Sequence, residues 1–347
     1  MQEHPITIAI TLGDPCGIGP EIVVKALADP VLRAQGRFLV YGFSELLGYA
    51  ADLAEVDFPW HRGHHDEAGH VPAGVTVLDY DELPTPAAEQ HEPTRYGGRA
   101  SMAFLDDAIA AAQRGLVDAL VTAPISKQAW ELAGFHFPGH TELLAKRTRT
   151  RNYAMMFVAP QLKVVLATIH LPLFEVRQHF NIGCVFNPIE LAHRALRQWF
   201  ALERPRLAVC ALNPHAGEGG RFGDEETRVI EPAILMAAEA GINVSGPYPA
   251  DTLFRRAVAG EFDCVVAMYH DQGMIPIKLL AWREAVNLTL GLPIIRTSPA
   301  HGTAFDIAGK NRADPASMRA AIQLAVDLAR REWPRSRRTA GQRSQSP

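Results

Sequence analysis

Three histidines stand shortly after apolar runs that are typical of buried strands, and together they could bind a metal ion. They are His170 after residues 163–168, His215 after residues 207–212, and His270 after residues 262–267. One histidine near a strand end is usually structural, but three at the same position on parallel strands would emerge at one edge of a sheet. Three neutral imidazoles with one open position suit a catalytic Zn²⁺ or a similar divalent ion. Whether the three side chains converge is left open by the sequence.

Charged and polar residues further along the chain could recognise an anionic substrate. Lys278 follows the third histidine, and Asn287 and Arg296 lie in the next two apolar runs. Lysine and arginine supply positive charge, and arginine can grip a carboxylate or phosphate with two parallel hydrogen bonds. The alternative for each residue, taken alone, is an ordinary solvated side chain.

A second anion site is predicted where residues 138–142 open a helix. His140 and Thr141 lie at this helix start, where backbone N–H groups are not yet used within the helix. A phosphate or carboxylate could bind these groups and the two side chains together. The alternative is a plain helix cap by Thr141.

The glycine-rich residues 13–20 follow a predicted strand at residues 6–12 and precede a helix that begins near Pro20. Strand, glycine-rich turn and helix can bind an anion. The spacing does not match the G-x-G-x-x-G fingerprint of dinucleotide sites, because Ile22 stands where the third glycine belongs. A tight strand-to-helix turn is an equally good interpretation.

Residues 57–93 are poorly periodic and rich in proline and histidine. Four of these histidines lie within ten residues, namely His61, His64, His65 and His70. The segment lacks the flanking strand or helix signals that would fix the geometry of metal ligands. We therefore predict a solvated loop here and not a metal site.

The composition excludes several classes of protein. A chain of 347 residues with 48% hydrophobic residues predicts about two domains, and a net charge of −4 offers no basic surplus for nucleic acid. No apolar run is long enough to span a membrane. The four cysteines are spread apart and predict buried free thiols, which suits the reducing cytoplasm.

The segments that carry these residues resemble the 4-hydroxythreonine-4-phosphate dehydrogenases of vitamin B6 biosynthesis. The similarity extends from the first strand to about residue 315. It is carried by GDPCGIGPE (13–21), TAPISK (122–127), GHTE (139–142), HLP (170–172), LNPHAGEGG (212–220), PADTLF (249–254), MYHDQG (268–273) and residues 287–297.

The resemblance implies an α/β fold with two α/β/α domains, related to isocitrate and isopropylmalate dehydrogenases. It implies an obligate homodimer with the active site in the interdomain cleft at the dimer interface. We expect residues 1–145 with 296–332 to form the first domain, and residues 146–295 to form the second, which carries the metal ligands. Residues 333–347 are basic and serine-rich, and we expect them to form a disordered tail.

The resemblance also assigns roles to individual residues. It implies that His170, His215 and His270 bind the metal, and that the partner subunit supplies the third ligand, its own His270. The implied substrate contacts are His140, Thr141, Lys278, Asn287 and Arg296. Residues 301–310 resemble the adenine-side NAD loop of isopropylmalate dehydrogenase, which makes His301, Gly302, Thr303, Ala304 and Asp306 candidate cofactor-binding residues.

The implied reaction is an NAD- or NADP-dependent oxidation assisted by Zn, Mg or Co. 4-Phosphooxy-L-threonine would give a 3-oxo acid, which loses CO₂ to leave 3-amino-2-oxopropyl phosphate for pyridoxal phosphate biosynthesis. Lys278 is the candidate to steady the developing charge, and Asp251 to orient a group near the substrate. We expect no nucleic-acid or membrane partner and a cytoplasmic location.

Three positions depart from the family pattern: Ala300 is often Asp, Cys16 is often Ala, and Ser126 is often Asn or His. These departures leave other substrates open, since relatives oxidise four-carbon sugar-acid 4-phosphates (erythronate or threonate) or an aromatic cis-dihydrodiol dicarboxylate. A non-catalytic metal- or phosphate-binding protein on the same fold is the alternative from another class.

Overall fold

The computed structural model describes residues 5–69, 72–84 and 91–343, with side chains described as far as Arg331. The chain divides into two compact units. Unit 1 comprises Met1–Arg149 and Leu292–Pro347, and unit 2 comprises Thr150–Gly291.

Strands and helices alternate along the described residues. The strands are β1 Thr7–Thr11, β2 Arg37–Tyr41, β3 His61–His64, β4 Val75–Asp79, β5 Ala119–Thr122, β6 Ala154–Val158, β7 Lys163–Leu166, β8 Leu207–Cys210, β9 Val244–Tyr248, β10 Cys264–Ala267, β11 Val286–Leu290 and β12 Ile295–Pro299. The helices are α1 Gly19–Leu27, α2 Pro30–Arg33, α3 Ser44–Leu53, α4 Arg95–Gln113, α5 Lys127–Leu132, α6 His140–Arg147, α7 Val176–His179, α8 Ile182–Gln198, α9 Glu231–Glu239, α10 Ala250–Val258, α11 His270–Ala281 and α12 Ala316–Arg343.

The sheet of unit 1 has the order β3-β4-β2-β1-β5-β12, and its neighbouring strands are parallel. Helix α4 packs against β1, β2 and β5, while α12 packs against β12 and β5. The central strands have mostly apolar sequences because every residue of β1 and β5 is buried. Strands of a parallel sheet covered by helices read as continuous apolar runs.

The prediction of a solvated loop over residues 57–93 is wrong where the structure describes them. This segment contains β3 and β4, and β4 is fully buried between β2 and β3. Strand β3 is an edge strand with mostly exposed residues, so it has no apolar pattern to reveal it. His70 lies outside the described residues.

The sheet of unit 2 has the order β11-β6-β7-β10-β8-β9. Strands β7, β10, β8 and β9 are parallel, whereas β6 is antiparallel to both β7 and β11. Helix α11 follows β10 and packs against β7 and β10. A side chain at Gly273 would bring its Cβ within 2.6 Å of Leu166 Cδ2, so the close approach of this helix requires glycine there.

Helix α12 continues through the segment that we predicted to be a disordered tail. It extends to Arg343, so residues 333–343 are helical, and residues 344–347 lie outside the described part. The arginines of this segment favour helix and extend one that is already formed, although Pro334 and Gly341 each disfavour it. The helices that the structure describes include none long and apolar enough to cross a membrane. The four cysteines are free thiols; Cys184 is half-buried and the others are buried.

Candidate active site

Three parallel neighbours, β7, β10 and β8, carry the three candidate metal ligands beyond their carboxyl ends. The prediction that these strands lie side by side in one sheet is therefore confirmed. The ring centroids of His170 and His270 are 6.3 Å apart. Both rings line a cavity of about 270 Å³, together with Ile169, Leu171, Leu173, Val176, Tyr269 and Asp271.

Two side chains tie the ends of these strands together. Thr168 Oγ1 donates to the carbonyl of Met268 at 2.8 Å, which joins the segments after β7 and β10. Gln272 accepts from the backbone N–H of Met268 at 2.7 Å and donates to the carbonyl of Ala211 at 2.8 Å. These bonds replace ladder bonds where the strands stop, so the loops that bear the histidines start from fixed positions.

The loop that carries His215 has a strained backbone. His215, Ala216 and Glu218 have φ values of 51°, 54° and 43°, in the left-handed region that non-glycine residues rarely adopt. Gly217, Gly219 and Gly220 continue the same handedness. Residues held in such conformations cost on the order of 1–3 kcal/mol each and persist only where neighbouring groups enforce them.

Glu226 anchors the residues at the start of this loop. Its carboxylate is buried and accepts from the backbone N–H groups of Leu212 and Asn213 at 2.9 and 2.8 Å, and from Asn213 Nδ2 at 3.0 Å. A Cβ on Gly217 would lie 2.7 Å from Glu226 Oε2, so only glycine lets the loop pass over this carboxylate. Glu226 therefore positions the His215 loop.

The ring orientation of His270 is set by its neighbour. His270 Nδ1 lies 2.6 Å from Asp271 Oδ1, a contact in which the ring N–H donates to the carboxylate. A metal-binding histidine commonly gives its other ring N–H to a carboxylate in this way, which leaves Nε2 available for an ion. One copy of the chain does not itself gather the three imidazoles: the described residues contain one group of three ligand atoms within 4.8 Å of one another, and its members are His64, His65 and Asp66.

Unit 1 contains a buried cation at the residue predicted to grip the substrate. The Arg296 side chain on β12 is only 1% exposed and donates from Nε and Nη2 to Thr122 Oγ1, at 3.2 and 2.7 Å. Burial lowers the pKa of the Arg296 guanidinium to about 9, while the nearby Glu142 carboxylate acts to raise it. The guanidinium is therefore still charged at neutral pH.

His140 lies close to this guanidinium at the start of α6. Burial, and then the charge of Arg296, hold the pKa of the His140 imidazole well below 6.5, so the ring is neutral at physiological pH. Its Nε2 atom is buried, with no hydrogen-bond partner among the described residues. Thr141 is also buried in the first turn of α6. A buried polar nitrogen beside a buried cation at a helix N-terminus fits an anionic oxygen.

The remaining predicted substrate and catalytic residues lie in unit 2. Burial lowers the pKa of the Lys278 ammonium on α11, and Lys278 Nζ lies 4.8 Å from the centre of the Trp282 ring. Asn287 is buried on β11, and its Oδ1 atom has no hydrogen-bond partner among the described residues. Asp251 is exposed in the first turn of α10.

Comparison with known proteins decides the family. The model of the pyridoxal phosphate biosynthetic protein PdxA matches residues 34–325. The chain belongs to the PdxA family. It is accordingly an oxidoreductase, a dehydrogenase of pyridoxal phosphate biosynthesis, and the predicted enzyme class and α/β fold are confirmed.

Individual relatives of this PdxA chain match almost from end to end. A 4-hydroxythreonine-4-phosphate dehydrogenase of Desulfosudis oleivorans is 47% identical, over 95% of this chain and 97% of the relative. A D-threonate 4-phosphate dehydrogenase of Cupriavidus necator is 42% identical, over 95% of this chain and 99% of the relative. The crystal structure of the 4-hydroxythreonine-4-phosphate dehydrogenase of Klebsiella pneumoniae has a TM-score of 0.81 at 41% identity, over 94% of this chain and all of the other.

The candidate cofactor loop of this PdxA chain, residues 301–310, packs on the glycine-rich turn of unit 1. The backbone N–H of Ile18 donates to the Thr303 carbonyl at 3.0 Å. Lys310 Nζ donates to the backbone carbonyl of Asp306 at 2.7 Å, and the Asp306 side chain is exposed. His301 and Gly302 are joined by a 3.1 Å contact between His301 Nδ1 and the Gly302 carbonyl, and Ala304 has a left-handed φ of 42°.

Several residues that shape the site were missed by the sequence interpretation, namely Thr122, Thr168 and Glu226. Each acts on a backbone group or side chain brought near by the fold, so its contacts have no local signal. One signal was available for Glu226. A carboxylate near the start of a helix that directly follows a glycine-rich loop can accept hydrogen bonds from N–H groups of that loop.

Proposed function

We propose that this chain oxidises 4-phosphooxy-L-threonine at its C3 hydroxyl to a 3-oxo acid, which then loses CO₂ to give 3-amino-2-oxopropyl phosphate. The observation that carries this proposal is the buried Nε2 of His140, which has no hydrogen-bond partner among the described residues and lies near the buried guanidinium of Arg296. An unsatisfied buried donor costs about 1–3 kcal/mol, and a phosphate oxygen would satisfy it. The identity of the phosphorylated substrate follows from relatives that are 4-hydroxythreonine-4-phosphate dehydrogenases.

The donor set of unit 2 fits a divalent transition metal. His170, His215 and the partner subunit's His270 would hold it, and the Asp271 carboxylate on His270 Nδ1 supports this orientation. Imidazole nitrogens suit Zn²⁺ or Co²⁺ better than Mg²⁺, which prefers oxygen ligands. When bound, the ion would supply Lewis-acid polarisation of the substrate oxygen, and NAD or NADP would accept the hydride.

The candidate phosphate contacts belong to unit 1, and the other candidate substrate contacts belong to unit 2. In unit 1, Arg296 and His140 bind the substrate phosphate, and Thr141 offers its hydroxyl at the N-terminus of α6. In unit 2, Asn287 and Lys278 bind the remaining polar groups of the substrate. Because burial lowers the pKa of Lys278, its ammonium releases a proton more readily than a solvated lysine does.

The order of bond changes is set by the chemistry of a 3-hydroxy acid. Loss of the hydroxyl proton, and of hydride from C3 to NAD, gives the ketone. The C–CO₂⁻ bond then breaks with its electron pair moving toward the ketone oxygen, and the carbon that lost CO₂ takes up a proton to give the amino ketone. Lys278 would donate a proton or a hydrogen bond to the oxygen that receives this charge. Asp251 would orient a polar group of the substrate.

The cofactor would lie on the loop of residues 301–310, with its candidate contacts at His301, Gly302, Thr303, Ala304 and Asp306. A small cavity of about 40 Å³ lies beside Gly309 of this loop. It is lined by Pro15, Gly17, Pro20, Glu21, Leu46, Tyr49, Ala50, Leu53, His91 and Gly309. The exposed Asp306 carboxylate could accept from a ribose hydroxyl, which would favour NAD over NADP.

We further propose that the active form is a homodimer built on α11. Ile275, Leu279 and Trp282 recur on one side of this helix at helical spacing, and Leu279 and Trp282 are 81% and 71% exposed. Large apolar side chains exposed side by side mark interaction surfaces. We assign this surface to a second copy of the chain, because the same helix begins at His270, the metal ligand that each subunit would give to its partner.

Turnover on a small substrate panel tests the function. NADH formation would be measured with 4-phosphooxy-L-threonine, D-threonate 4-phosphate, D-erythronate 4-phosphate and an aromatic cis-dihydrodiol dicarboxylate, each with Zn²⁺ or Co²⁺. We expect the highest kcat/KM with 4-phosphooxy-L-threonine. The second candidate is D-threonate 4-phosphate, favoured by the Cupriavidus necator relative, and a preference for it would replace the first proposal. Calorimetry without any NAD binding, with or without metal, would favour a non-catalytic binding protein.

A further inference from the structure

A second group of potential metal ligands lies at the edge of unit 1, apart from the residues assigned to the dehydrogenase reaction. It surrounds the 3₁₀ turn at His65–Glu67, which follows β3. Its members are the imidazoles of His64 and His65 and the carboxylates of Asp66, Glu82 and Asp107. The ligand atoms of His64, His65 and Asp66 all lie within 4.8 Å of one another.

The two imidazoles of this cluster lie side by side with carboxylates around them. Their ring centroids are 4.4 Å apart. Asp66 lies 3.4 Å from His64 Nδ1 and 3.6 Å from His65 Nδ1. Glu82 lies 3.8 Å from His64 Nε2 and 3.1 Å from His65 Nε2. Three carboxylates, those of Asp66, Glu82 and Asp107, therefore surround the two rings.

Both ring nitrogens of His65 face carboxylates. Its Nδ1 lies 3.0 Å from Asp107 Oδ2, and its Nε2 lies 3.1 Å from Glu82 Oε1. A neutral imidazole has one N–H, so it can donate to only one of these carboxylates, and the other contact brings two lone pairs together. A cation bound between Nε2 and Glu82 would remove this repulsion.

The surroundings of His65 match those of a metal-binding histidine. Tyr80 donates from its hydroxyl to Asp107 Oδ2 at 2.8 Å, and its ring stacks on His65 with centroids 4.4 Å apart. Metal-binding imidazoles are commonly oriented by a carboxylate on the other ring nitrogen, which is itself hydrogen-bonded. Asp107 and Tyr80 give His65 this support.

We propose that His64, His65 and Asp66 bind a divalent transition metal such as Zn²⁺, with Glu82 close enough to enter the coordination shell. Two nitrogens and carboxylate oxygens are a ligand set that Zn²⁺ accepts, at ligand distances of about 2.0–2.2 Å. Small side-chain rotations would close the present separations, because Asp66 and Glu82 are solvent-exposed. The bound ion would fasten the exposed edge strand β3 to the segment after β4. This site is independent of the proposed reaction.

Zinc binding to full-length protein tests the proposal. The chain would carry His215→Ala, to disable the histidines of unit 2, and would be stripped with chelator before calorimetric titration with ZnCl₂. We expect about one Zn²⁺ per chain, and loss of that equivalent, or at least tenfold weaker binding, when His65→Ala is added. His61→Ala is the matched control, since His61 is an exposed histidine on the same strand and outside the cluster.

A second variant separates coordination from folding. Asp66 is 78% exposed, so Asp66→Asn removes a ligand charge without disturbing packing. We expect Zn²⁺ to raise the Tm of the His215→Ala protein and to raise it less once Asp66→Asn is added. Zinc stoichiometry and Tm shifts that are unchanged by His65→Ala and Asp66→Asn would overturn the proposal, as would an equal loss in the His61→Ala control.

Discussion

The two candidate binding regions of the molecule are prepared for their ligands in different ways. In unit 1 the preparation lies in side chains, since Arg296 is buried on β12 and His140 is kept neutral beside it. In unit 2 the preparation lies in the backbone, since His215 stands in a left-handed loop pinned by the buried carboxylate of Glu226. Both regions hold an unfavourable arrangement that a ligand would relieve or exploit.

This difference predicts how each region should respond to mutation. A buried charge is part of the core, so replacing Arg296 should change both substrate affinity and stability. A half-exposed imidazole on a loop is not part of the core, so replacing His215 should change metal binding and leave the fold intact. The predictions below test this contrast from the largest expected effect to the smallest.

His215→Ala should abolish metal-dependent turnover, by roughly a thousandfold or more, because it removes one of three nitrogen ligands. Metal content by mass spectrometry and NADH formation are the measurements, and Tm should stay within about 2 °C of the parent. His179→Ala, an exposed histidine of the same unit, is the control. Full activity of the His215→Ala protein after exhaustive chelation would show that the imidazole is not a ligand.

Asp14→Asn should remove a pH dependence of stability from unit 1. Burial raises the pKa of the Asp14 carboxyl from 3.8 to about 6. The folded state therefore holds this proton more tightly than the unfolded state, and the contribution to stability is full below about pH 4 and lost as pH rises through about 6. The full change is about 3 kcal/mol.

The measurement is urea denaturation of the parent and Asp14→Asn proteins between pH 4 and 8. As pH rises, the unfolding free energy of the parent should fall relative to that of the Asp14→Asn protein. A difference that is constant across this range would mean that Asp14 has an ordinary pKa.

Arg296→Lys should raise KM for a phosphorylated substrate by roughly 10- to 100-fold, because a lysine cannot form the paired hydrogen bonds of a guanidinium. The kcat should change less, since the residue binds the phosphate and does not touch the reacting carbon. Steady-state kinetics with 4-phosphooxy-L-threonine and with its unphosphorylated form separate the two effects. An equal KM increase for both substrates would remove Arg296 from the phosphate site.

Glu226→Gln should weaken metal affinity by roughly tenfold, because His215 would be held less firmly. The KM for the phosphorylated substrate should not change. Glutamine keeps one acceptor oxygen for the loop N–H groups but loses the second and the charge. Competition against a chromogenic chelator gives the metal affinity. Glu225→Gln is the neighbouring control, since Glu225 accepts from the Asn213 side chain and from no backbone N–H of this loop among the described residues. Unchanged metal affinity of the Glu226→Gln protein would limit Glu226 to a structural role.

The sequence predicted the parts of the site that follow from local pattern. Strands β7, β8 and β10 are short apolar runs with a polar residue at the end, so both their existence and the place of the histidines could be read directly. Their parallel neighbourhood followed from the rule that α/β sheets gather polar residues at one edge. The convergence of the imidazoles in an assembled dimer stays a prediction.

Other features depend on contacts that no local pattern records. Thr122 meets Arg296 across 174 residues of sequence, and Gln272 reaches Ala211 across 61. Strand β3 was missed because an exposed edge strand such as His61–His64 has no apolar face. The neutral state of His140 follows from its burial near a cation, which the sequence could not supply.

The shared location of His270 and the apolar residues Ile275 and Leu279 on α11 has a consequence for experiments. If one helix supplies both a metal ligand and the surface that joins two copies, ion affinity and self-association are thermodynamically linked, and each strengthens the other. Dilution should therefore promote loss of the ion from the enzyme, and chelators should promote dissociation of the dimer. Specific activity measured at nanomolar protein would then report the association constant as much as the chemistry.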